Sequence, residues 1–155
     1  MPDWIAHVLV PWIGGKLFQL KNPKLLQKDI ALLMLGGVLP DIVYIGYLLG
    51  FAGVDASGAL LPFHTITGGL LSAGLISLMF SNRRRSFLLL TAGVAVHFAL
   101  DSLLLHAGGG MVLLFPFSWA WGFQLGLIQA DSWAPAVVAV VISAGIFMAL
   151  KMRRK

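Results

Sequence analysis

Four stretches of roughly 20 residues run through this chain almost without charge, which is the length an α-helix needs to cross a hydrocarbon layer about 30 Å thick. They are 29–50, 59–80, 87–106 and 133–150. Backbone inside lipid finds no water to bond, so such stretches have to be helices. Charged residues make up 11% of the chain and apolar ones 59%, against about 25% charged in a soluble domain. The same figures exclude disorder. The expected fold class is therefore an all-α integral membrane protein, 1–155 forming a single membrane domain with a bundle of four transmembrane helices. A fifth stretch, 4–20, is broken by Pro11 and Gly14-Gly15 and either spans or enters as a re-entrant helix.

Orientation follows from the basic residues. Lys16, Lys21, Lys24 and Lys28 precede the first strong stretch, Arg83, Arg84 and Arg85 follow the second, and Lys151, Arg153, Arg154 and Lys155 close the chain. All 11 fall on one side if 29–50 runs from inside to outside. The positive-inside rule makes that side the cytoplasm, so a multi-pass protein of the cytoplasmic (inner) membrane with a cytoplasmic C-terminus is expected. The net charge of +5 then reflects loops facing anionic lipid rather than nucleic acid.

The segment 111–128 is also uncharged and could pose as another span, but a span there would drive the basic tail outside. Within the outer aromatic loop 107–132 it reads as an outer loop or a re-entrant segment lying on the membrane, whose Phe115, Phe117, Trp119, Trp121 and Phe123 join Trp4 and Trp133 in an interfacial aromatic belt. Asn22-Pro23 predicts a helix start. Ser81-Asn82 and Gly108-Gly109-Gly110 read as helix ends.

Cysteine is absent, which removes disulfides, thiolate metal sites and cysteine nucleophiles. All six acids are aspartates. Two of them, Asp41 and Asp101, fall deep inside apolar stretches, as do His97 and His64. An ionisable group in a bilayer is a functional hypothesis by default. At about 1.5 Å per residue, Asp41, His64, His97 and Asp101 share the outer half of the membrane, and His7 joins them if 4–20 descends from outside. His97 and Asp101 are spaced i, i+4 and stack on one helix face. His106 falls on the opposite face. Pro40 predicts a kink that frees the carbonyl of Gly36 beside Asp41. Imidazoles and carboxylates without thiolates suit a divalent metal such as Zn, Mn, Fe or Co, as one ion or as two bridged by an aspartate.

The order of these motifs is familiar. His7-Val-Leu-Val-Pro-Trp-Ile-Gly14 is followed by Gly36-Gly-Val-Leu-Pro40-Asp41, then His64-Thr-Ile-Thr-Gly-Gly-Leu-Leu, then His97-Phe-Ala-Leu-Asp101-Ser-Leu and Pro116-Phe117-Ser118. From His7 to Ser118 the chain resembles the membrane-bound metal-dependent hydrolases, which are similar in ligand types to zinc-dependent phospholipases C. The resemblance implies metal roles for His7, Asp41, His64, His97 and Asp101, most plausibly toward zinc, with Asp101 or Asp41 also as catalytic bases. The second acid usual after the Pro-Asp pair is here Ile42, and of the usual two central histidines only His64 stands. The leading function is hydrolysis of a phosphoester in a lipid or lipid-linked substrate at the outer face. A metal or proton transporter and a non-catalytic membrane scaffold are the other readings.

The charge map makes a testable statement about topology. A reporter fused after Lys155 is expected in the cytoplasm and one inserted near Gly108 outside. A protease-accessible, external C-terminus would overturn the orientation.

Overall fold

The computed structural model describes residues 4–105, 112–119, 122 and 124–152. Helix α1 (Trp4–Lys21) turns back into α2 (Gln27–Val38), which tightens into a 3-10 turn (Leu39–Ile42) and continues as α3 (Val43–Phe51). A short α4 (Ser57–Leu60) runs into a second 3-10 turn (Leu61–His64), followed by α5 (Ile66–Ser77), α6 (Arg83–Leu103) and α7 (Ala134–Met152). Two-residue strands, β1 (Leu104–Leu105) and β2 (Ile128–Gln129), pair in parallel. The protein is thus mostly helical.

Three helical stretches among the described residues are long and apolar enough to cross a membrane: Gln27–Phe51, Arg83–Leu103 and Ala134–Met152. A fourth crossing exists only if Gly58–His64 and Ile66–Ser77 are one span, and these two meet at an angle of 83°. The straight helix expected over 59–80 is therefore not formed. The break is chemical: Pro62 opens the 3-10 turn, and Thr65 sits in an extended conformation (φ −131°, ψ 162°) as the N-cap of α5. Its hydroxyl donates to the Pro62 carbonyl at 2.6 Å and accepts the Gly68 N–H at 3.0 Å. An apolar run conceals this corner because hydropathy does not register caps.

Other boundaries also move. Pro11 does not interrupt α1, which stays helical for 18 residues. The carbonyl that the proline leaves without a donor belongs to His7, and Gly37 of α2 abuts both that carbonyl and the Pro11 ring. Asn22-Pro23 forms a turn, and α2 starts at Gln27, with Asp29 Oδ2 accepting the Leu26 N–H at 2.7 Å. Asn82 opens α6 rather than closing a helix; its side chain accepts the Arg85 N–H at 3.1 Å. Helix α6 begins at Arg83 and ends at Leu103, not 87–106. His106, Gly108-Gly109-Gly110, Trp121, Phe123 and the last three basic residues lie outside the described residues.

No helix forms in the described part of 107–132, in keeping with a loop. That loop is pinned by backbone bonds: Leu125 and Leu127 donate to the carbonyls of Ser102 and Leu103 at 2.6 and 2.8 Å, and Ile66 donates to Leu113 at 3.3 Å. Phe117, Trp119, Trp4 and Trp133 are all exposed.

The helices meet where glycines remove the side chains between them. A Cβ at Gly36 would collide with the Leu90 carbonyl of α6, and one at Gly93 with the Leu33 carbonyl and the Gly37 nitrogen of α2. Backbone thus touches backbone at the α2–α6 crossing, as small-residue interfaces permit. Leu32, Leu39, Ala73, Leu90 and Val94 pack beside the crossing as the apolar core. The outer surface is as apolar as the interior: Leu71, Leu75, Leu88, Val141, Phe147 and Met148 are exposed. An exposed apolar area of this extent marks contact with a membrane or another protein. At one end of the crossing, Arg85 bonds the buried Asp29 carboxylate at 2.7 Å and the Lys24 carbonyl at 3.0 Å, clasping α6 to the start of α2.

The crossing gives a direct test. Gly93→Ala is expected to destabilise the protein by about 2 kcal/mol or more through overpacking. Gly145→Ala, whose new Cβ meets nothing within 4 Å, is expected to gain about 0.5–1 kcal/mol in helix propensity. Unfolding in detergent checks both, and equal effects at the two sites would remove the crossing's special status.

Candidate metal centre

Five ionisable side chains from four elements converge beyond this crossing. His7 closes the first turn of α1, Asp41 comes from the 3-10 turn after α2, His64 from the last residue before the Thr65 corner, and His97 and Asp101 from α6. Arg85 and His97 are 12 positions apart on α6, so the cluster stands roughly 18 Å along the helix from the basic end.

Asp101 is the hub. Its Oδ1 lies 3.0 Å from His7 Nε2. Its Oδ2 lies 3.0 Å from His64 Nε2 and 3.2 Å from His97 Nε2. The two imidazole nitrogens of His64 and His97 face each other at 3.2 Å. Asp41 Oδ1 is 3.8 Å from each of them. The His7 and His97 rings are 4.2 Å apart between centroids, and Phe98 stands edge-on to both His64 and His97. His97 is 0% exposed and His7 2%.

The local backbone explains why His97 points as it does. In a 3-10 turn each carbonyl is bonded by the N–H three residues on. For Gly37 that residue is Pro40, which has no N–H. The His97 Nδ1–H donates to the Gly37 carbonyl at 2.9 Å instead. In a neutral ring that bond makes Nε2, which faces both aspartates, the lone-pair nitrogen. A histidine held by its far nitrogen on a backbone carbonyl is the arrangement that prepares imidazole for a metal. Pro40 was expected to free the carbonyl of Gly36; the carbonyl that His97 takes is the next one along, that of Gly37.

These residues could hold a metal ion. His7, His97 and Asp101 offer ligand atoms all within 4.8 Å of one another, and so do Asp41, His64 and His97. Bonds of about 2.0–2.1 Å set neighbouring tetrahedral zinc ligands roughly 3.3 Å apart, close to the separations among His64, His97 and Asp101. Two further observations fit a cation. Asp41 Oδ2 is buried with no hydrogen-bond partner among the described residues, which is costly for a carboxylate oxygen. The partners of both carboxylates are imidazoles, so with neutral rings one divalent ion would balance the pair.

All five residues picked out in the sequence are thus brought together. The sequence reading missed two contributors, the Gly37 carbonyl and the Thr65 cap that sets His64. The first was readable from Pro40 counted back three residues, and the second from Pro62 and Thr65 flanking the histidine. Comparison with models of protein families, with curated proteins and with solved structures returns no match.

Metal content checks the arrangement. His97→Ala is expected to abolish stoichiometric binding of a divalent ion by the purified protein. Asp41→Asn keeps size and hydrogen bonding and is expected to weaken affinity by about 10- to 100-fold, even if its carboxylate acts only through a neighbour. A well-folded Asp41→Asn protein with unaltered affinity would make Asp41 a helix-packing residue.

Proposed function

We propose that this chain is a membrane-embedded, metal-dependent hydrolase acting on a phosphoester of a lipid or lipid-linked substrate at the outer face of the cytoplasmic membrane. The observation that carries the reading is the convergence of three imidazoles and two carboxylates with no Lys or Arg partner among the described residues, inside a fold whose outer surface is apolar. His64, His97 and Asp101 would hold the ion, with Asp41 beside them and His7 buttressing Asp101. Zinc suits the donor set best; manganese, iron and cobalt are compatible with it. When bound, a divalent ion supplies Lewis acidity toward a phosphoryl oxygen and lowers the pKa of a water at the site. The chain itself contributes a carboxylate to take a proton: Asp41 Oδ2 has no hydrogen-bond partner among the described residues and is free for that task, while the two oxygens of Asp101 are held by imidazoles.

The corner at Thr65 supports an amphiphilic substrate. If α5 runs along the bundle, the segment Gly58–His64, bent from it by 83°, lies close to the membrane plane and leads sideways to His64. A lipid would approach the cluster along that segment without leaving its leaflet. The resemblance to membrane-bound metal-dependent hydrolases points the same way. In this reading α1, the Gln27–Phe51 rod, the bent pair, α6 and α7 make the bundle, with the Lys and Arg residues cytoplasmic.

Transport fits less well. From Phe87 to Val96 the only polar side chain on α6 is Thr91, and Leu90 and Val94 in that stretch are buried. A conducting path along this helix would need more polar groups there.

The test is hydrolysis of a short-chain phospholipid or a chromogenic phosphodiester by purified, metal-loaded protein in detergent. Activity is expected to vanish with a chelator and return with the metal, and Asp41→Asn is expected to lower the rate by about 100-fold or more, the scale of a lost general base. Stoichiometric metal without any hydrolysis, combined with metal flux into proteoliposomes, would replace the enzyme with a transporter.

A further inference from the structure

At the end of the bundle opposite the cluster, a cavity of about 530 Å³ opens between the start of α2 and the turn leading into α6. It is large enough for a small ligand, and its walls are graded. Along α2 toward the bundle's middle they are apolar, with Ala31, Leu32 and Leu35, and Phe80 adds an aromatic wall from the turn before α6. Ala31, Leu35 and Phe80 are exposed there. Toward the end of the bundle Leu26 is joined by polar and basic side chains: Lys28, Ser81, Asn82, Arg85 and Ser86. Lys28, Ala31 and Leu35 follow one another at helical spacing, so a single stripe of α2 passes from cationic to apolar.

The charge at the polar end is positive. Asp29 is the acid in the wall, and it is already satisfied by the Leu26 N–H and by Arg85. Arg85 spends one terminal nitrogen on Asp29 and on the Lys24 carbonyl. Its guanidinium has further N–H groups, and the side chain is 44% exposed. Lys28 adds a second cation. Arg83 and Arg84 immediately precede Arg85 in the sequence. A cleft with an apolar trough below a basic rim matches an acyl chain below an anionic headgroup.

We propose that this cleft binds one anionic phospholipid of the cytoplasmic leaflet, its phosphate between Lys28 and Arg85 and one chain along Ala31, Leu35 and Phe80. The inference rests on the membrane orientation given under Proposed function and on nothing in the metal centre. Basic pockets between helices on the cytoplasmic side are suited to such headgroups. Because Arg85 also clasps α6 to the start of α2 through Asp29, the headgroup would share a cation with the clasp and stiffen the crossing that positions the cluster.

The experiment is native mass spectrometry of the whole, delipidated protein in neutral detergent, given phosphatidylglycerol or phosphatidylcholine at equal concentration. Wild-type protein is expected to retain one phosphatidylglycerol with an affinity about tenfold or more above that for phosphatidylcholine. Lys28→Ser is expected to lower that affinity about fivefold, the scale of one lysine's attraction to anionic lipid. Ala31→Trp, which fills the trough, is expected to lower it at least as much. Lys21→Ser removes a charge from the same end outside the cleft and is expected to change it less than twofold. Equal retention of the two lipids, equal effects of Lys21→Ser and Lys28→Ser, or full retention by a folded Ala31→Trp protein would each reduce the binding to a general lipid coat and overturn the proposal. Displacement of the lipid by millimolar inorganic phosphate would also overturn it, by making the cleft a site for the free anion. Metal content measured on the same samples keeps the two readings apart. Lost metal with intact lipid selectivity would count against the metal centre alone, and intact metal without selectivity against the cleft alone.

Discussion

Backbone contact at the α2–α6 crossing is the constraint on which the rest of the structure depends. Gly36 and Gly93 bring two helices together without intervening side chains, and Gly37 does the same between α2 and α1 at the carbonyl of His7. Three helices are thereby locked in register within two adjacent residues of α2. Asp41 follows one turn later, His97 lies one turn beyond Gly93 on α6, and His7 is itself the α1 contact. The same close approach lets the His97 ring reach the Gly37 carbonyl at 2.9 Å. A methyl group at any of these glycines would alter the spacing among the cluster's side chains before it altered their chemistry.

The second governing fact is electrostatic. Two carboxylates enclosed by apolar walls are expensive to keep charged, and the fold surrounds them with imidazoles rather than ammonium or guanidinium groups. The contrast with the other end of the bundle is informative. There a single carboxylate, Asp29, receives a guanidinium and a backbone N–H, which completes a structural ion pair. At the cluster the acids are placed around a common centre and one oxygen is left without a hydrogen-bond partner among the described residues. One arrangement holds helices together; the other has the form of a binding site.

Much of this was legible in the sequence, and the limits are physical. The i, i+4 relation of His97 and Asp101 fixes their shared helix face whatever the tertiary structure, and apolar length marks α6 and α7 directly. Pro40 announced a disturbance beside Asp41. What escaped were features set by local hydrogen bonds rather than by hydropathy. The corner at Thr65 is invisible in an apolar run, because a cap is one hydroxyl meeting one N–H. Pro11 looked like a break, yet its ring is accommodated by a glycine 26 positions away in another helix, which no local reading detects. The Asp29–Arg85 pair likewise joins residues 56 positions apart. In the sequence Arg85 stands only as part of a charge pattern and Asp29 only as the first residue of an apolar stretch.

Helix α7 shows how the labour is divided along the chain. It buries only Ala136 and Ala139, packs mainly against α1, and supplies none of the five clustered side chains, all of which precede Ser102 in the sequence. The polar centre is therefore built without the last helix. Because α7 contributes nothing to the cluster, its many exposed side chains answer only to whatever covers them, whereas α2 and α6 are bound by the crossing and have no such latitude.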